Sequence, residues 1–220
     1  MLEVRNISKK YGKRTILKDI SFSISPGQRV AIVGRNGCGK TTLMQILSGS
    51  MKADSGEISF FGHNPLRSRR YFREYIGYVP QDIPLLPELT VIDNLRLWGV
   101  TKCPNYKYIV ERFELTPIMK TEVRKLSGGM KRRLAIACAI AAWPPILLLD
   151  EPTTALDIYY KENIQAWLSE YNNLNGMVLV STHEEAEIVA CDRCLFLKDG
   201  KLIEVEKNDE MMDNIRQLLS

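Results

Sequence analysis

Apolar and polar residues alternate along the first third of the chain. Leu2, Val4 and Ile7 stand out in one such segment, and Ile20, Phe22 and Ile24 alternate with serines in the next, which predicts two half-buried strands. A turn at Pro26-Gly27 leads into the nearly all-apolar run Val30-Ala-Ile-Val33. An apolar strand followed at once by a glycine-rich turn, then by a helix over 41–47, points to a central parallel strand. Further strands are expected at 56–61 and 75–79. The middle, about 82–142, reads mainly as helix, with a capped helix start at Thr90 and a strong helix over 131–142. Beyond it the pattern gives a strand (146–149), a helix (158–171), a strand (177–180) and a helix (184–190). A closing hairpin (194–198 and 202–205) turns through Asp199-Gly200. Strands alternating with helices, plus one helical insert, make an α/β core with a helical lobe, within one domain over 1–220.

Composition narrows the class without changing that picture. With 220 residues, 45% hydrophobic and 25% charged, the chain has the balance of an ordinary soluble globular domain. A net charge of +4 is too mild for a general nucleic-acid binder. The first residues already alternate like a strand, so no secretory leader is expected. The apolar stretch over 134–149 is short for a membrane span and holds Pro144 and Pro145. The expectation is a soluble protein, or one held at a membrane only through a partner. Five scattered cysteines fit a reducing compartment. Cys191 and Cys194 form a Cys-x-x-Cys with no second pair or His cluster, so packing is favoured over metal or redox use.

Three segments carry chemistry. Gly34-Arg-Asn36-Gly37-Cys38-Gly39-Lys40-Thr41 has the G-x-x-x-x-G-K-[ST] spacing between a strand and a helix. Its glycines let successive N–H groups point at a polyphosphate, and the helix adds its positive end. Lys40 then reaches the terminal phosphates and the Thr41 hydroxyl ligates Mg²⁺. Second, the apolar run Ile146-Leu-Leu-Leu ends in Asp150-Glu151. Asp150 is placed to face the Mg²⁺, and Glu151 to polarise an attacking water as general base. Third, Ser127-Gly128-Gly129 opens the helix before that strand and offers amides and a hydroxyl as a second anion site, although an N-cap is the commoner role of such a serine.

Together these segments resemble the nucleotide-binding subunit of an ATP-binding cassette (ABC) transporter, over nearly the whole chain. Residues 34–42 resemble the Walker A loop and include Thr42; Gln81 after Tyr78-Val-Pro resembles the Q-loop. Residues 126–130 resemble the family signature, 146–151 the Walker B strand, and Ala155-Leu-Asp157 the D-loop. Tyr11 lies where the family stacks an aromatic on adenine, and His183 where it has a switch histidine. The resemblance implies a P-loop NTPase core with a mixed sheet, an N-terminal antiparallel β subdomain and a helical subdomain inserted at about 82–142. It implies ATP and Mg²⁺ as ligands, with Thr41, Gln81 and Asp150 around the metal. ATP would lie between two chains, identical or homologous, with Ser127, Gly128 and Gly129 of one facing the Walker A loop of the other. A separate transmembrane permease subunit is the implied partner, which would hold the chain at the cytoplasmic face of the membrane.

Several readings stay open at this level. Tyr11 fits a packed loop aromatic as well as an adenine platform, His183 a cap before Glu184-Glu185, and Asp157 an N-cap. Met130 stands where the commonest signature has Gln, and Leu126-Ser-Gly-Gly-Met-Lys-Arg-Arg-Leu resembles bacterial ABC-2 type exporters, tilting the reading to export. Cys38, near a helix N-terminus, is expected to have a lowered pKa and to be more reactive than the other four thiols. Arg67, Arg69, Arg70 and Arg73, and Lys131-Arg-Arg133, read as solvated helix faces rather than nucleic-acid contacts. Ile83-Pro-Leu-Leu-Pro87 suits either a docking groove for a partner's helix or a buried lobe core. Two rivals remain. A soluble family ATPase acting on DNA or ribosomes would need a long heptad segment between Gln81 and Ser127, which is missing. A small-molecule kinase would have no need of Glu151 or Ser127-Gly-Gly.

Overall fold

The computed structural model describes residues 1–65, 69–154 and 156–219, with backbone alone at 69, 70 and 73. Strands β1 (Leu2–Tyr11) and β2 (Arg14–Ile24) pair antiparallel, and β4 (Ser55–Phe60) lies on the other side of β1. The main sheet is built from β3 (Arg29–Val33), β5 (Ile76–Val79), β6 (Ile146–Asp150), β7 (Met177–Ser181), β8 (Arg193–Lys198) and β9 (Lys201–Val205). Its order is β5-β6-β7-β3-β8-β9, with every neighbouring pair parallel except β8 and β9. The fold is therefore α/β with a mixed sheet and a separate antiparallel sheet.

Burial on both faces explains the unbroken apolar strands. In β3, Ala31 and Val33 pack toward one core and Val30 and Ile32 toward the other; Leu147 and Leu149, against Ile146 and Leu148, do the same in β6. The second core lies under α1 (Lys40–Leu47) and the antiparallel sheet, joining Leu43 and Leu47 to Leu2, Ile20 and Phe60. The first lies under α5 (Gly128–Ala139), α6 (Ile158–Asn173) and α8 (Met211–Leu219), and is centred on Trp167, Tyr171 and Phe113.

Several expectations need adjustment. Tyr75 ends a helix, α2 (Arg69–Tyr75), that runs directly into β5. The middle of the chain is helical only in pieces: α3 (Val91–Leu97), α4 (Tyr106–Arg112) and α5, separated by turns of 3₁₀-helix at 100–102, 116–118 and 123–125. The helix read at 131–142 begins three residues earlier, because Ser127 caps it by accepting from the Met130 amide at 3.2 Å. α8 and the short α7 (Glu185–Val189) complete the set. Lys131-Arg-Arg133 is not a solvated face: Arg132 and Arg133 are both 5% exposed. The Arg133 guanidinium bonds Glu114 at 2.8 Å and the Phe113 carbonyl at 3.1 Å, over the Tyr160 ring. Arg67 lies outside the described residues, as do the side chains of Arg69, Arg70 and Arg73. Cys191 and Cys194 are buried core residues with free thiols. No helix among the described residues is long and apolar enough to cross a membrane.

Candidate functional site

The loop between β3 and α1 is shaped by what surrounds it. A side chain at Gly34 would place its Cβ 2.5 Å from the Leu197 carbonyl and 2.8 Å from Cys38 Sγ, so the loop packs against β8 only as glycine. Gly39 sits at φ 115° as the residue before α1, with Ile16 2.8 Å from where a Cβ would be. α1 has no acidic residue in its first turn, which leaves its positive end uncompensated. Lys40 is buried to 7% exposure, and its ammonium donates to the Gly34 carbonyl at 2.8 Å and the Arg35 carbonyl at 3.3 Å.

This loop forms the floor of a cleft of about 480 Å³, shared with residues distant in sequence. Asn36, Gly37, Gly39, Lys40, Thr41 and Thr42 line it from the loop and α1. Tyr11 comes from the end of β1, half exposed, with its hydroxyl 3.1 Å from Met51 Sδ. Gln81, Glu151 and His183 arrive from the loops after β5, β6 and β7, at the carboxyl ends of parallel strands where ligands of open α/β sheets bind. Gly34 and Cys38 belong to the loop but are not among the residues that line the cleft. Ile16, on β2, also lines it; an alternating strand position gives no sign of that.

Glu151 is the hub. Its backbone is in the left-handed region at φ 50°, uncommon for a residue with a side chain, and its amide donates to the Ser181 carbonyl at 3.0 Å. Its Oε2 accepts from the Thr154 hydroxyl at 3.3 Å and from the Gln81 amide at 3.5 Å, and its Oε1 lies 3.7 Å from His183 Nδ1. His183 is not a cap: Glu184 occupies the N-cap position of α7, and its amide donates to the Thr182 hydroxyl.

Asp150 is 1% exposed; its Oδ1 accepts from the Ser181 hydroxyl, and its Oδ2 has no partner. A buried carboxylate oxygen without a donor is costly unless a cation approaches it. That fits Mg²⁺, as does the Thr41 hydroxyl on the cleft wall. No cluster of three or more His, Cys, Asp or Glu side chains capable of holding a metal occurs among the described residues. A Mg²⁺ carried mainly by substrate phosphates would need few protein donors.

Two expectations fare differently. The Cys38 thiol is half-buried, and burial pushes it above its ordinary value. The Lys40 charge and the backbone amides of Lys40 and Cys38 act in the opposite sense and lose. The expected lowering is therefore overturned, although burial pushes Cys138 and Cys191 higher still, to about 12. Ser127, Gly128 and Gly129 do not join the cleft; Ser127 and Gly128 are exposed at the start of α5. Asp157 caps α6, accepting from the Tyr160 amide at 3.0 Å, while Ala155 lies outside the described residues.

Comparison with known proteins places the chain in a family. A family profile described as ABC transporter matches residues 17–154. The linearmycin resistance ATP-binding protein LnrL of Bacillus subtilis is 35% identical over 98% of this chain and 72% of its own length. The spermidine/putrescine import ATP-binding protein PotA of Spiroplasma citri is 36% identical over 93% of this chain, which spans only 61% of that protein. Among solved structures, the dimeric post-hydrolysis state of the ATP-binding cassette MJ0796, bound to ADP and Pi, has a TM-score of 0.86. It is 30% identical and covers 94% of this chain and 99% of its own. This protein therefore belongs to the ABC transporter family, as an ATP-binding cassette that hydrolyses ATP.

Proposed function

We propose that the chain is the Mg²⁺-dependent ATPase of a transporter, working as one half of a head-to-tail pair and driving a separate transmembrane partner. One observation carries this reading: a single cleft gathers Tyr11, Lys40, Thr41, Gln81, Glu151 and His183, while Ser127-Gly128-Gly129 stands outside it, with Ser127 and Gly128 exposed to a second chain.

In that pair Tyr11 stacks on adenine, and Asn36, Gly37, Cys38 and Gly39 direct backbone amides at the phosphates while Thr42 adds its hydroxyl. Lys40 releases the Gly34 and Arg35 carbonyls and takes the terminal phosphates. Thr41 and Asp150 would hold the metal, with Gln81 beside it, and Mg²⁺ bound there would supply positive charge against the phosphates. Glu151 accepts the proton of the attacking water, and His183 and Gln81, both within 4 Å of the Glu151 carboxylate, orient the water and the γ-phosphate. The second chain's Ser127-Gly-Gly brings a helix N-terminus to the developing charge.

Residues 82–142 form the helical subdomain of the single domain. Beside it an apolar groove of about 590 Å³, lined by Tyr78, Pro84, Trp98 and Ala139 among others, is where the partner's cytoplasmic helix docks. Leu85 belongs to the buried core, Pro84 lines the groove, and Leu86 is exposed. Docking holds the chain at the inner face of the membrane. Export is the finer reading. It rests on the Met130 signature and on the likeness to a protein named for linearmycin resistance, against the similar likeness to proteins named for import.

The enzymatic reading predicts phosphate release from ATP and Mg²⁺ by the purified chain with no acceptor present. Release that appears only when a small-molecule acceptor is added would make the chain a P-loop kinase instead.

A further inference from the structure

Arg132 is a buried cation that no step above uses. It lies on α5 one turn beyond the Ser127 cap and is 5% exposed. Its guanidinium donates to the Pro80 carbonyl through Nη1 at 2.8 Å and to the Gln81 carbonyl through Nη2 at 3.2 Å. Burying a guanidinium is unfavourable unless its donors are satisfied. Here two of them are satisfied by successive main-chain carbonyls of one loop. Asp150, Glu151, Asp82 and Glu187 lie in its surroundings and favour its charge, against the effect of burial.

The planar fork of arginine is suited to holding two acceptors in a fixed relation. The backbone it holds carries the Gln81 side chain, whose amide is 3.5 Å from Glu151 Oε2. Its other end is rooted in α5, whose first turn presents Ser127, Gly128 and Gly129. One side chain therefore joins the surface meant for a phosphate of the neighbouring site to the residue facing the general base of this chain's own cleft.

We propose that Arg132 is a positioning residue that ties the Gln81 loop to the first turn of α5, so that phosphate engagement by Ser127-Gly-Gly sets Gln81 against Glu151. The phosphate-engagement half rests on the head-to-tail pairing; the link from Arg132 to Gln81 is complete within one chain. A lysine offers one point charge on a shorter reach and replaces the fork only in part.

The test is a double-mutant cycle on the full chain, with turnover and ATP affinity measured for Arg132→Met, Arg132→Lys, Gln81→Ala and Arg132→Met with Gln81→Ala. Arg132→Met is expected to lower kcat about tenfold while ATP affinity stays within about twofold, and Arg132→Lys to recover part of the loss. The double variant is expected to be no slower than Gln81→Ala alone, within about twofold. Three results would overturn the proposal: Arg132→Met turning over at the parent rate, losses that multiply in the double variant, or ATP affinity falling in step with kcat. If Arg132→Met does not fold, Arg132→Lys, which keeps the charge, takes its place in the cycle. Failure of the pairing itself shows elsewhere, as a Glu151→Gln chain that stays single with ATP, and leaves the cycle interpretable.

Discussion

Turnover is expected to fall by about 10²- to 10⁴-fold when Glu151 is replaced by glutamine, with ATP binding retained. The substitution keeps the shape of a side chain that is 11% exposed and wedged among Thr154, Gln81 and His183. What it removes is the ability to take a proton from water. The loss corresponds to about 3–6 kcal/mol of barrier, at about 1.4 kcal/mol per decade. The left-handed backbone at Glu151, held by the bond from its amide to Ser181, is unaffected, so binding and turnover separate cleanly. Steady-state phosphate release and nucleotide titration check the two halves. A variant keeping more than about a tenth of the parent rate would remove Glu151 from the role of base.

Lys40→Ala acts on binding instead, and an affinity loss of about 10²-fold or more is expected. The ammonium is nearly buried and, in the chain alone, bonds two carbonyls of its own loop. With ATP those bonds are exchanged for bonds to phosphate oxygens, each worth about 1.5–3 kcal/mol when the partner is charged. Losing two of them gives roughly 3–6 kcal/mol, or about two to four decades in Kd. Arginine at this position is expected to recover little, since a planar fork does not replace a compact charge in so tight a loop. Titration with a fluorescent ATP analogue measures the change. Binding within about fivefold of the parent would mean that the loop does not hold the phosphates.

How legible this was in the sequence depended on how local each feature is. The strand at 30–33, the phosphate loop and the strand ending at Asp150-Glu151 are contiguous, and their spacing alone predicts the conformation that the chain adopts. The gathering of Gln81, Glu151 and His183 is not local. Each lies in the loop after an apolar strand, and only the strand order β5-β6-β7 brings those loops to one cleft. The resemblance to a family, rather than any periodicity, points to Gln81 and His183, while Glu151 stands out from the strand that precedes it.

The burial of Arg132 and Arg133 is hard to read from sequence for a related reason. Two arginines at the start of a helix look solvated by composition. The helix that follows is buried on every side from Arg132 to Cys138, and that unbroken run was the available signal that its first charges are buried too. Cys38 shows the limit of a one-cause argument: the helix terminus and Lys40 do favour the thiolate, but burial against Gly34 outweighs both. The 3₁₀ turns between α3 and α5 escaped a reading based on helical period, because three-residue segments have none.

The central claim is that the cleft is half of an ATP site and that Ser127-Gly-Gly of a second chain completes it. The most direct measurement is the solution mass of the Glu151→Gln protein with and without saturating ATP and Mg²⁺. The account predicts a shift from one chain of 25.1 kDa to about twice that mass with ATP, and loss of the shift when Ser127 is replaced by arginine. A Glu151→Gln protein that binds ATP yet keeps the mass of a single chain would contradict it.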